Sequence, residues 1–293
     1  MSSPPRAPAS LVLGTVQFGL DYGVSNTGGQ VSDAAAHEIL ELAESAGVVR
    51  LDTAAAYGRS ETVLARLLQE SSRLRVITKA PRLGPDSTAT VIRKARESAA
   101  LFGPERLDAI LLHAAADLAG SEGEALWAAL KQLKMEGLVR RIGFSAYADD
   151  RPLDLARRFS PDIVQIAASV FDQRLVADGQ IRGIGELGVE VHVRSIFLQG
   201  LAFMTPGNLP PGLSAASGLL DRWGQDLERA QTTPAQACLD FALGLEGAAR
   251  IVIGVTSPTE LAEILALVSA PSPALDYARF AHDDPGILDP WRW

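Results

Sequence analysis

Cysteine is nearly absent from this chain of 293 residues, which contains Cys238 alone. A single cysteine excludes a disulfide within the chain and a metal site built from several thiolates, and it is typical of a reducing compartment. Histidine is also scarce, and His37, His113, His192 and His282 do not follow the spacing of a zinc site. We therefore expect no metal, a buried packing thiol at Cys238, and surface or core roles for every histidine except His113.

Long apolar runs are missing as well, since no run approaches the ~18 residues of a membrane-spanning helix. Residues 1–10 contain three prolines and no apolar signal-peptide core, so we interpret them as a disordered N-terminal tail. The net charge of −8 and the pI of about 5.1 argue against nucleic acid or an anionic membrane as the main partner. We expect a cytoplasmic protein, with a monomer slightly favoured over an oligomer.

Eight short apolar runs alternate with helix-like stretches along the rest of the chain, without a break in composition. Alternating strands and helices with no hairpin signal predict parallel pairing with right-handed crossovers. Eight such units predict a (β/α)8 TIM barrel in a single domain, residues 11–293. An open doubly wound sheet is the alternative, although no Gly-x-Gly-x-x-Gly motif follows the first run. The predicted strands are 11–15, 48–52, 75–79, 107–113, 139–145, 162–166, 189–195 and 250–255.

Apolar residues at helical spacing mark the predicted helices, and Ser60 is a candidate N-cap for the second of them. Residues 205–213 are rich in proline and glycine, and we expect them to form a loop over a site. The helices are expected at 34–46, 60–69, 88–101, 123–136, 152–159, 177–187, 219–230, 234–243 and 258–268.

Polar side chains stand where the predicted strands end. In a barrel these ends meet at one mouth, where active sites are found. Asp52 ends the second strand, and a carboxylate there is costly unless it meets a cation or hydrogen-bond donors. Lys79, at the end of the third strand, is the expected counterion, and Tyr57 reaches in from the loop after the second strand. The polar strand ends are Thr15, Asp52, Lys79, His113, Ser145, Gln165 and Ser195.

These residue types suit proton transfer to a carbonyl oxygen. An unperturbed phenol has a pKa of about 10, and we expect the ammonium group of Lys79 to lower the pKa of Tyr57. We expect Asp52 to hold Lys79 in place and His113 to hydrogen-bond the reacting oxygen. Tyr57 then protonates the oxygen as hydride reaches the carbon. The hydride must come from a cofactor, because no side chain can supply it.

Six short motifs, one per predicted strand or following loop, resemble the aldo-keto reductase family from residue 11 to about residue 267. They are LGTVQFG (13–19), LDTAAAYG (51–58), ITK (77–79), ILLH (110–113), IGFS (142–145) and FDQR (171–174). The resemblance implies that Asp52, Tyr57, Lys79 and His113 are the catalytic residues, the same four that the strand ends indicate. It also implies carbonyl reduction or alcohol oxidation with a nicotinamide cofactor across the barrel mouth, on small aldehydes, ketones or sugars.

The same resemblance implies a cofactor site, with two departures from the family pattern. An asparagine usually follows the serine that holds the nicotinamide carboxamide, but Ala146 follows Ser145 here. Arg194 stands where an aromatic ring often stacks on the nicotinamide; its guanidinium can stack, but its charge should disfavour the oxidised cofactor. The implied cofactor-binding residues are Gly14, Thr15, Val16, Asp52, Ser145, Gln165, Arg194, Ser195, Gly200, Gly254, Thr256 and Glu263.

The expected adenosine end of that site departs further. Family members that choose NADP commonly place basic residues after the last strand, yet residues 254–263 contain no lysine or arginine. Thr256, Ser257 and helix amides offer donors to a phosphate, whereas Glu260 and Glu263 repel it. We expect NADP from the resemblance, with NAD as the alternative and weak discrimination between the two.

The substrate and two other functions remain open. Trp291 and Trp293 near the C terminus either cover the barrel mouth or pack on its flank. One alternative function is a catalytically quiet, nicotinamide-binding redox sensor or interaction subunit on the same fold. The other is a barrel enzyme without nicotinamide, such as a sugar-phosphate isomerase or an aldolase. For the proposed enzyme, the expected substrate-contacting residues are Gln17, Phe18, Tyr57 and His113.

Overall fold

A closed barrel of parallel strands forms the centre of the molecule. In the computed structural model, which describes residues 5–70, 72–83 and 88–293, the strands are β1 (Leu11–Gly14), β2 (Arg50–Asp52), β3 (Arg75–Ala80), β4 (Leu107–Leu112), β5 (Arg141–Ala146), β6 (Ile163–Ala167), β7 (Glu190–Arg194) and β8 (Ala248–Gly254). Each strand pairs in parallel with the next, and β8 pairs with β1, so the sheet closes on itself. The closed barrel confirms the predicted (β/α)8 fold.

Helices follow the strands around the outside, and none of those in the described ranges is long and apolar enough to cross a membrane. The helix predicted at 177–187 begins later than expected, at Gln180, after Gly179 with a left-handed φ of 66°. The helices are α1 (Asp33–Ser45), α2 (Ser60–Leu67), α3 (Thr88–Phe102), α4 (Ala116–Ala119), α5 (Gly123–Met135), α6 (Pro152–Phe159), α7 (Arg174–Ala177), α8 (Gln180–Glu186), α9 (Ser217–Arg229), α10 (Pro234–Leu243), α11 (Pro258–Leu267) and α12 (Pro285–Leu288).

Local side-chain chemistry explains where α1 and α2 begin. Ser32 caps α1 by accepting a hydrogen bond from the N–H of Ala35. Ser60, predicted to cap α2, instead lies in its first turn, fully buried, and its hydroxyl donates to the carbonyl of Thr15 at 2.8 Å. The prediction of Ser60 as an N-cap is therefore wrong, because its hydroxyl joins α2 to the residue that follows β1.

An apolar layer lies inside the barrel beneath the polar strand ends. Side chains alternate along a strand, so Ile77 of β3 faces the same side as Lys79, and Ile163 of β6 the same side as Gln165. The polar residues at the mouth therefore lie directly above a layer of buried apolar side chains. This cluster, separate from the main core, consists of Ile77, Ala109, Leu111 and Ile163. Cys238 of α10 is free and fully buried in the main core, as predicted.

The amino ends of the strands carry an ion-pair network, remote from the polar strand ends. Arg141 of β5 donates to Glu190 of β7 at 2.8 Å and also pairs with Asp108 of β4. His192 is fully buried, and its Nε2 lies 2.7 Å from the same glutamate. His192 therefore has a core role, as expected, and the network joins strands that are not neighbours in the chain.

Residues near both ends of the described chain contact the rest of the fold. Residues 1–4 of the predicted N-terminal tail lie outside the described residues. Pro8–Ser10 forms a 3-10 turn whose last residue is buried, and Arg6 pairs with Asp240 of α10 and donates to Ser272 at 3.0 Å. The described part of the predicted tail is thus attached by side-chain contacts. Near the other end, Arg174 donates to Asp289 at 2.9 Å.

Candidate active site

A cavity of about 790 Å³ opens at the carboxyl ends of the strands. Its size lies within the range of ~300–1,000 Å³ that is usual for small-molecule and cofactor sites. Residues 205–213, which the sequence predicts to form a loop over a site, contribute no residue to the wall of this cavity. The predicted site residues that line the cavity are Gly14, Thr15, Val16, Gln17, Asp52, Tyr57, Lys79, His113, Ser145, Arg194, Ser195, Gly200, Gly254, Thr256 and Glu263.

Two predicted site residues are not part of the wall. Phe18 is fully buried in the main core, because the 3-10 turn Val16–Phe18 directs its ring inward. The prediction that Phe18 contacts substrate is therefore wrong. Gln165 is also fully buried, and its Nε2 donates to Asp52 Oδ1 at 2.7 Å. Its contact with a nicotinamide carboxamide stays a prediction, for which its Oε1 is available.

Asp52 and Lys79 form a buried ion pair at the floor of the cavity. Lys79 Nζ lies 2.6 Å from Asp52 Oδ2, and the two residues are 1% and 4% exposed. Nζ also donates to the carbonyl of Thr53 at 3.2 Å, and the other carboxylate oxygen is held by Gln165. Burying two charges is costly unless the remaining polar atoms are satisfied, and these hydrogen bonds meet that condition.

Tyr57 is positioned over this pair by a loop that depends on glycines. Lys79 Nζ lies 3.4 Å from the Tyr57 hydroxyl and 5.0 Å from its ring centroid. The loop turns at Gly58, which has a φ of 55°, and packs so closely on Gly19 that an added Cβ there would lie 1.8 Å from the Tyr57 carbonyl oxygen. The His113 ring meets the Tyr57 ring edge-on at 5.7 Å. The structure thus brings all four predicted catalytic residues together.

The acidity of Tyr57 differs from the sequence-based expectation. Burial raises the pKa of Tyr57 above its usual range, and the negative charge of Asp52 raises it further, while Arg194 acts in the opposite direction. The predicted lowering of this pKa is therefore wrong, because burial and the charge of Asp52 outweigh the opposing charge of Arg194. Tyr57 carries its proton throughout the physiological pH range.

His113 and Lys79 are also shifted by their surroundings. Burial, together with the positive charges of Lys79 and Arg194, lowers the pKa of His113 to about 3. The imidazole is therefore neutral near pH 7, with one N–H to donate and one nitrogen to accept. Burial lowers the pKa of Lys79, and the charge of Asp52 opposes that shift.

Arg194 also lines the cavity, and its guanidinium is fixed by hydrogen bonds and by an aromatic ring. Its Nε donates to Ser145 Oγ at 3.1 Å, and a terminal nitrogen donates to Ser195 Oγ at 3.2 Å. The guanidinium carbon lies 4.3 Å from the ring centroid of Tyr147, whose other neighbour is Trp291, at 4.3 Å and edge-on. The C-terminal tail therefore reaches the wall of the cavity through Trp291.

Sequence reasoning missed several residues of the wall. Tyr147 follows the end of β5, so the rule that located Ser145 could have found it two positions further on. Tyr22 and Phe197 come from loops without any periodic pattern, and no local signal indicates them. Arg82 follows β3 and adds a further cation to the wall. The reactive end of the cavity is thus more aromatic and more basic than predicted.

The far end of the cavity, where β8 leads into α11, is acidic. Thr256, Glu260, Glu263 and Ile264 line it. Glu260 accepts hydrogen bonds from the N–H of Thr256 at 2.7 Å and from its hydroxyl at 2.8 Å. The N–H and the hydroxyl of Thr256, which could otherwise donate to a phosphate, are therefore already bonded to the carboxylate of Glu260.

The volume and the polar wall of the cavity suit a nicotinamide dinucleotide. Its wall runs from Tyr57 to Ile264 of α11. The Oε1 atom of Gln17, which lines the cavity, is buried and has no hydrogen-bond partner among the described residues, so it can accept from an amide. Gly254 keeps the wall open, since an added Cβ would lie 2.9 Å from the Gln17 side chain.

Comparisons with known proteins agree with this arrangement. An aldo-keto reductase proposed for Pseudomonas aeruginosa has a similar structure at 24% identity, with a TM-score of 0.66 and 89% of each chain covered. An aldo-keto reductase from Bacillus halodurans, in its holo form, is similar at 20% identity, with a TM-score of 0.68 and coverage of 92% of this chain and 89% of that one. At these identities the likeness shows the fold alone. A search of curated proteins gave no match.

The sequence profile of the Aldo/keto reductase family matches residues 10–282. The match begins just before β1 and extends beyond α11, so it includes every strand of the barrel and every residue of the Asp52, Tyr57, Lys79 and His113 cluster. The chain therefore belongs to the aldo/keto reductase family.

Proposed function

We propose that this protein interconverts a small-molecule carbonyl and an alcohol with a nicotinamide cofactor, and that Tyr57 exchanges the proton. As a member of its family the chain is an oxidoreductase of the aldo-keto reductase kind, and that family acts on small carbonyl compounds. Aldehydes, ketones and sugars are the proposed substrate classes. A cytoplasmic location is proposed with them.

One observation carries the proposal: Lys79 Nζ contacts Asp52 and the Tyr57 hydroxyl within a cavity that also contains His113. A general acid must lie within hydrogen-bond reach of its partners and be protonated at the working pH. Tyr57 meets the second condition because a phenol keeps its proton near neutral pH, and burial raises its pKa further. The contact with Lys79 provides a cation beside the oxygen on which negative charge develops.

In the proposed reaction the bound cofactor supplies hydride to the carbonyl carbon. Tyr57 donates its phenolic proton to the carbonyl oxygen, which becomes the hydroxyl of the alcohol. Lys79 stabilises the phenolate that remains, and Asp52 holds the ammonium group at that position. His113, being neutral, donates a hydrogen bond to the same oxygen without adding a charge of its own.

Tyr57 can serve both directions of the proposed reaction. A phenol that keeps its proton can act as an acid in carbonyl reduction, whereas alcohol oxidation needs the phenolate to take a proton. Burial and the charge of Asp52 disfavour the phenolate, whereas the ammonium group of Lys79, at 3.4 Å from the hydroxyl, stabilises it.

The cofactor predicted from the family resemblance is NADP, with NAD as the alternative, and the geometry at α11 favours the alternative. A 2′-phosphate at this end would meet the carboxylates of Glu260 and Glu263 and no cation of residues 254–263. Glu260 also occupies the two donors of Thr256. We therefore propose that NADPH has no large advantage over NADH here.

A catalytically quiet subunit that binds nicotinamide remains the second candidate. Two features favour it. Ala146 lacks the side-chain amide of the asparagine that is usual at this position. In addition, Ser145 Oγ already accepts a hydrogen bond from Arg194 Nε. Such a protein would bind the cofactor and never oxidise it. The buried Asp52, Lys79 and Tyr57 contacts favour the enzyme.

Replacing the proton donor tests the catalytic proposal. Tyr57→Phe is expected to lower kcat for carbonyl reduction by about 100-fold or more, because it removes the hydroxyl and retains the ring. The cofactor dissociation constants of Tyr57→Phe should stay within about threefold of the wild-type values, because the missing hydroxyl acts mainly in the transition state. Tyr22→Phe, on the wall of the same cavity, is the matched control. Equal kcat values for wild type and Tyr57→Phe would refute the assignment.

The pH dependence tests the states of His113 and Tyr57. Below its pKa of about 3 His113 is charged and above it neutral, while Tyr57 stays protonated to high pH. We expect kcat/KM for reduction to show no histidine inflection between about pH 5 and pH 8. A midpoint near about 6.5, the value of an unperturbed histidine, would contradict the assigned state.

Cofactor preference tests the role of Glu260. The ratio of kcat/KM for NADPH to that for NADH is expected to be below about 100, an advantage of less than ~3 kcal/mol. Glu260→Gln keeps the shape and removes the charge, so it should raise that ratio about tenfold. Glu246→Gln, outside the cavity wall, is the control and should leave the ratio unchanged. If Glu260→Gln leaves the ratio of kcat/KM for NADPH to that for NADH unchanged, the carboxylate of Glu260 does not determine the cofactor preference.

A further inference from the structure

Arg194 gives the reactive end of the cavity a positive charge that is held in one place. Three hydrogen bonds fix its guanidinium, to Ser145 Oγ at 3.1 Å, to Ser195 Oγ at 3.2 Å and to the carbonyl of Ala146 at 3.4 Å. The Tyr147 ring covers one face at 4.3 Å. The side chain is therefore constrained by neighbours on several sides.

Nothing in the described part of the chain pairs directly with this charge. The oxygens that accept hydrogen bonds from Arg194 belong to a carbonyl and to hydroxyl groups, including that of Tyr147, and none of them is a carboxylate. Asp150, a carboxylate on the same side of the barrel, is engaged with the N–H of Tyr147 at 2.8 Å. The charge nevertheless reaches the reactive groups, since Arg194 contributes to lowering the pKa of His113.

The other ionisable groups near Arg194 include one further cation. Lys79 is paired with Asp52 at 2.6 Å. His113 is neutral near pH 7, and Tyr57 is protonated. Arg82 also lines the cavity and acts in the same direction as Arg194 on the pKa of His113, with the smaller effect of the two. The two arginines therefore give this end of the cavity a net positive charge, to which Arg194 contributes the larger part at His113.

We propose that Arg194 makes this protein bind reduced nicotinamide cofactor more tightly than oxidised cofactor. The inference rests on the proposed function, in which the carbonyl that takes a proton from Tyr57 receives hydride at the same end of the cavity. The nicotinamide ring is neutral when reduced and positively charged when oxidised. A planar guanidinium can stack on either ring, so the discrimination comes from charge and not from contact area.

Tighter binding of the reduced cofactor affects which form of the cofactor the protein carries. It favours binding of the reduced cofactor and release of the oxidised cofactor after the reaction. By linkage, it also makes the bound cofactor a weaker hydride donor than the free one, by about 30 mV for each tenfold difference in affinity. A carbonyl substrate must therefore be reactive enough to be reduced by a hydride donor held in this way.

The test is isothermal titration calorimetry of the full-length protein with NADPH, NADP⁺, NADH and NAD⁺. For wild type we expect the dissociation constant of the oxidised form to exceed that of the reduced form by about tenfold or more. Arg194→Gln and Arg194→Met remove the charge, and either should lower this ratio about tenfold. Arg194→Lys keeps the charge with fewer hydrogen bonds and should retain most of the ratio.

Each result decides a separate question. A ratio in either neutral variant equal to that of wild type overturns the inference, and so does an Arg194→Lys ratio as low as theirs. Wild type that binds both redox forms equally also overturns it, while the proposed function stands. Wild type that binds no nicotinamide cofactor in either form defeats the proposed function itself. Circular dichroism spectra confirm that each variant is folded.

Discussion

The buried ion pair between Lys79 and Asp52 is the interaction on which the rest of the site depends. Two charges at the floor of a cavity are stable there because each remaining polar atom has a partner: Gln165 on one oxygen of Asp52, and the Thr53 carbonyl on the ammonium group. The ion pair and its two partners come from three strands, β2, β3 and β6, or from the residue that follows β2. With the pair fixed, the Tyr57 hydroxyl has a cation at 3.4 Å.

Burial and charge then divide the tasks among the surrounding groups. Burial keeps the proton on Tyr57 and off His113, which are the states required of the proposed acid and of a neutral hydrogen-bond donor. Arg194 adds a positive charge that no neighbour among the described residues pairs with directly. Glu260 places a negative charge at the opposite end of the cavity. The site is therefore polarised along its length, basic where the proposed chemistry occurs and acidic where the far end of a cofactor would lie.

The sequence predicts the barrel and the convergence of Asp52, Tyr57, Lys79 and His113 at its mouth, because both depend on strand order. Parallel strands end at one mouth, so Asp52, Lys79 and His113 had to converge once the strands were located. Side-chain direction and burial are not local properties, and there the predictions fail. Phe18 turns into the core instead of the cavity, and the pKa of Tyr57 rises because the folded chain excludes water from it. Contacts between distant loops and the tail, such as that of Trp291 with Tyr147, leave no pattern in the sequence.

The central claim is that the Lys79 and Asp52 pair prepares Tyr57 to protonate a carbonyl during hydride transfer. A single-turnover experiment tests it most directly: excess protein with stoichiometric reduced cofactor is mixed with a panel of aldehydes, ketones and sugars, and loss of the near-ultraviolet absorbance of reduced nicotinamide is followed. The account predicts that wild type oxidises the bound cofactor with at least one substrate class, and that Lys79→Met does so about 100-fold more slowly or worse. Bound cofactor that no carbonyl oxidises, or an unchanged rate in Lys79→Met, would contradict it.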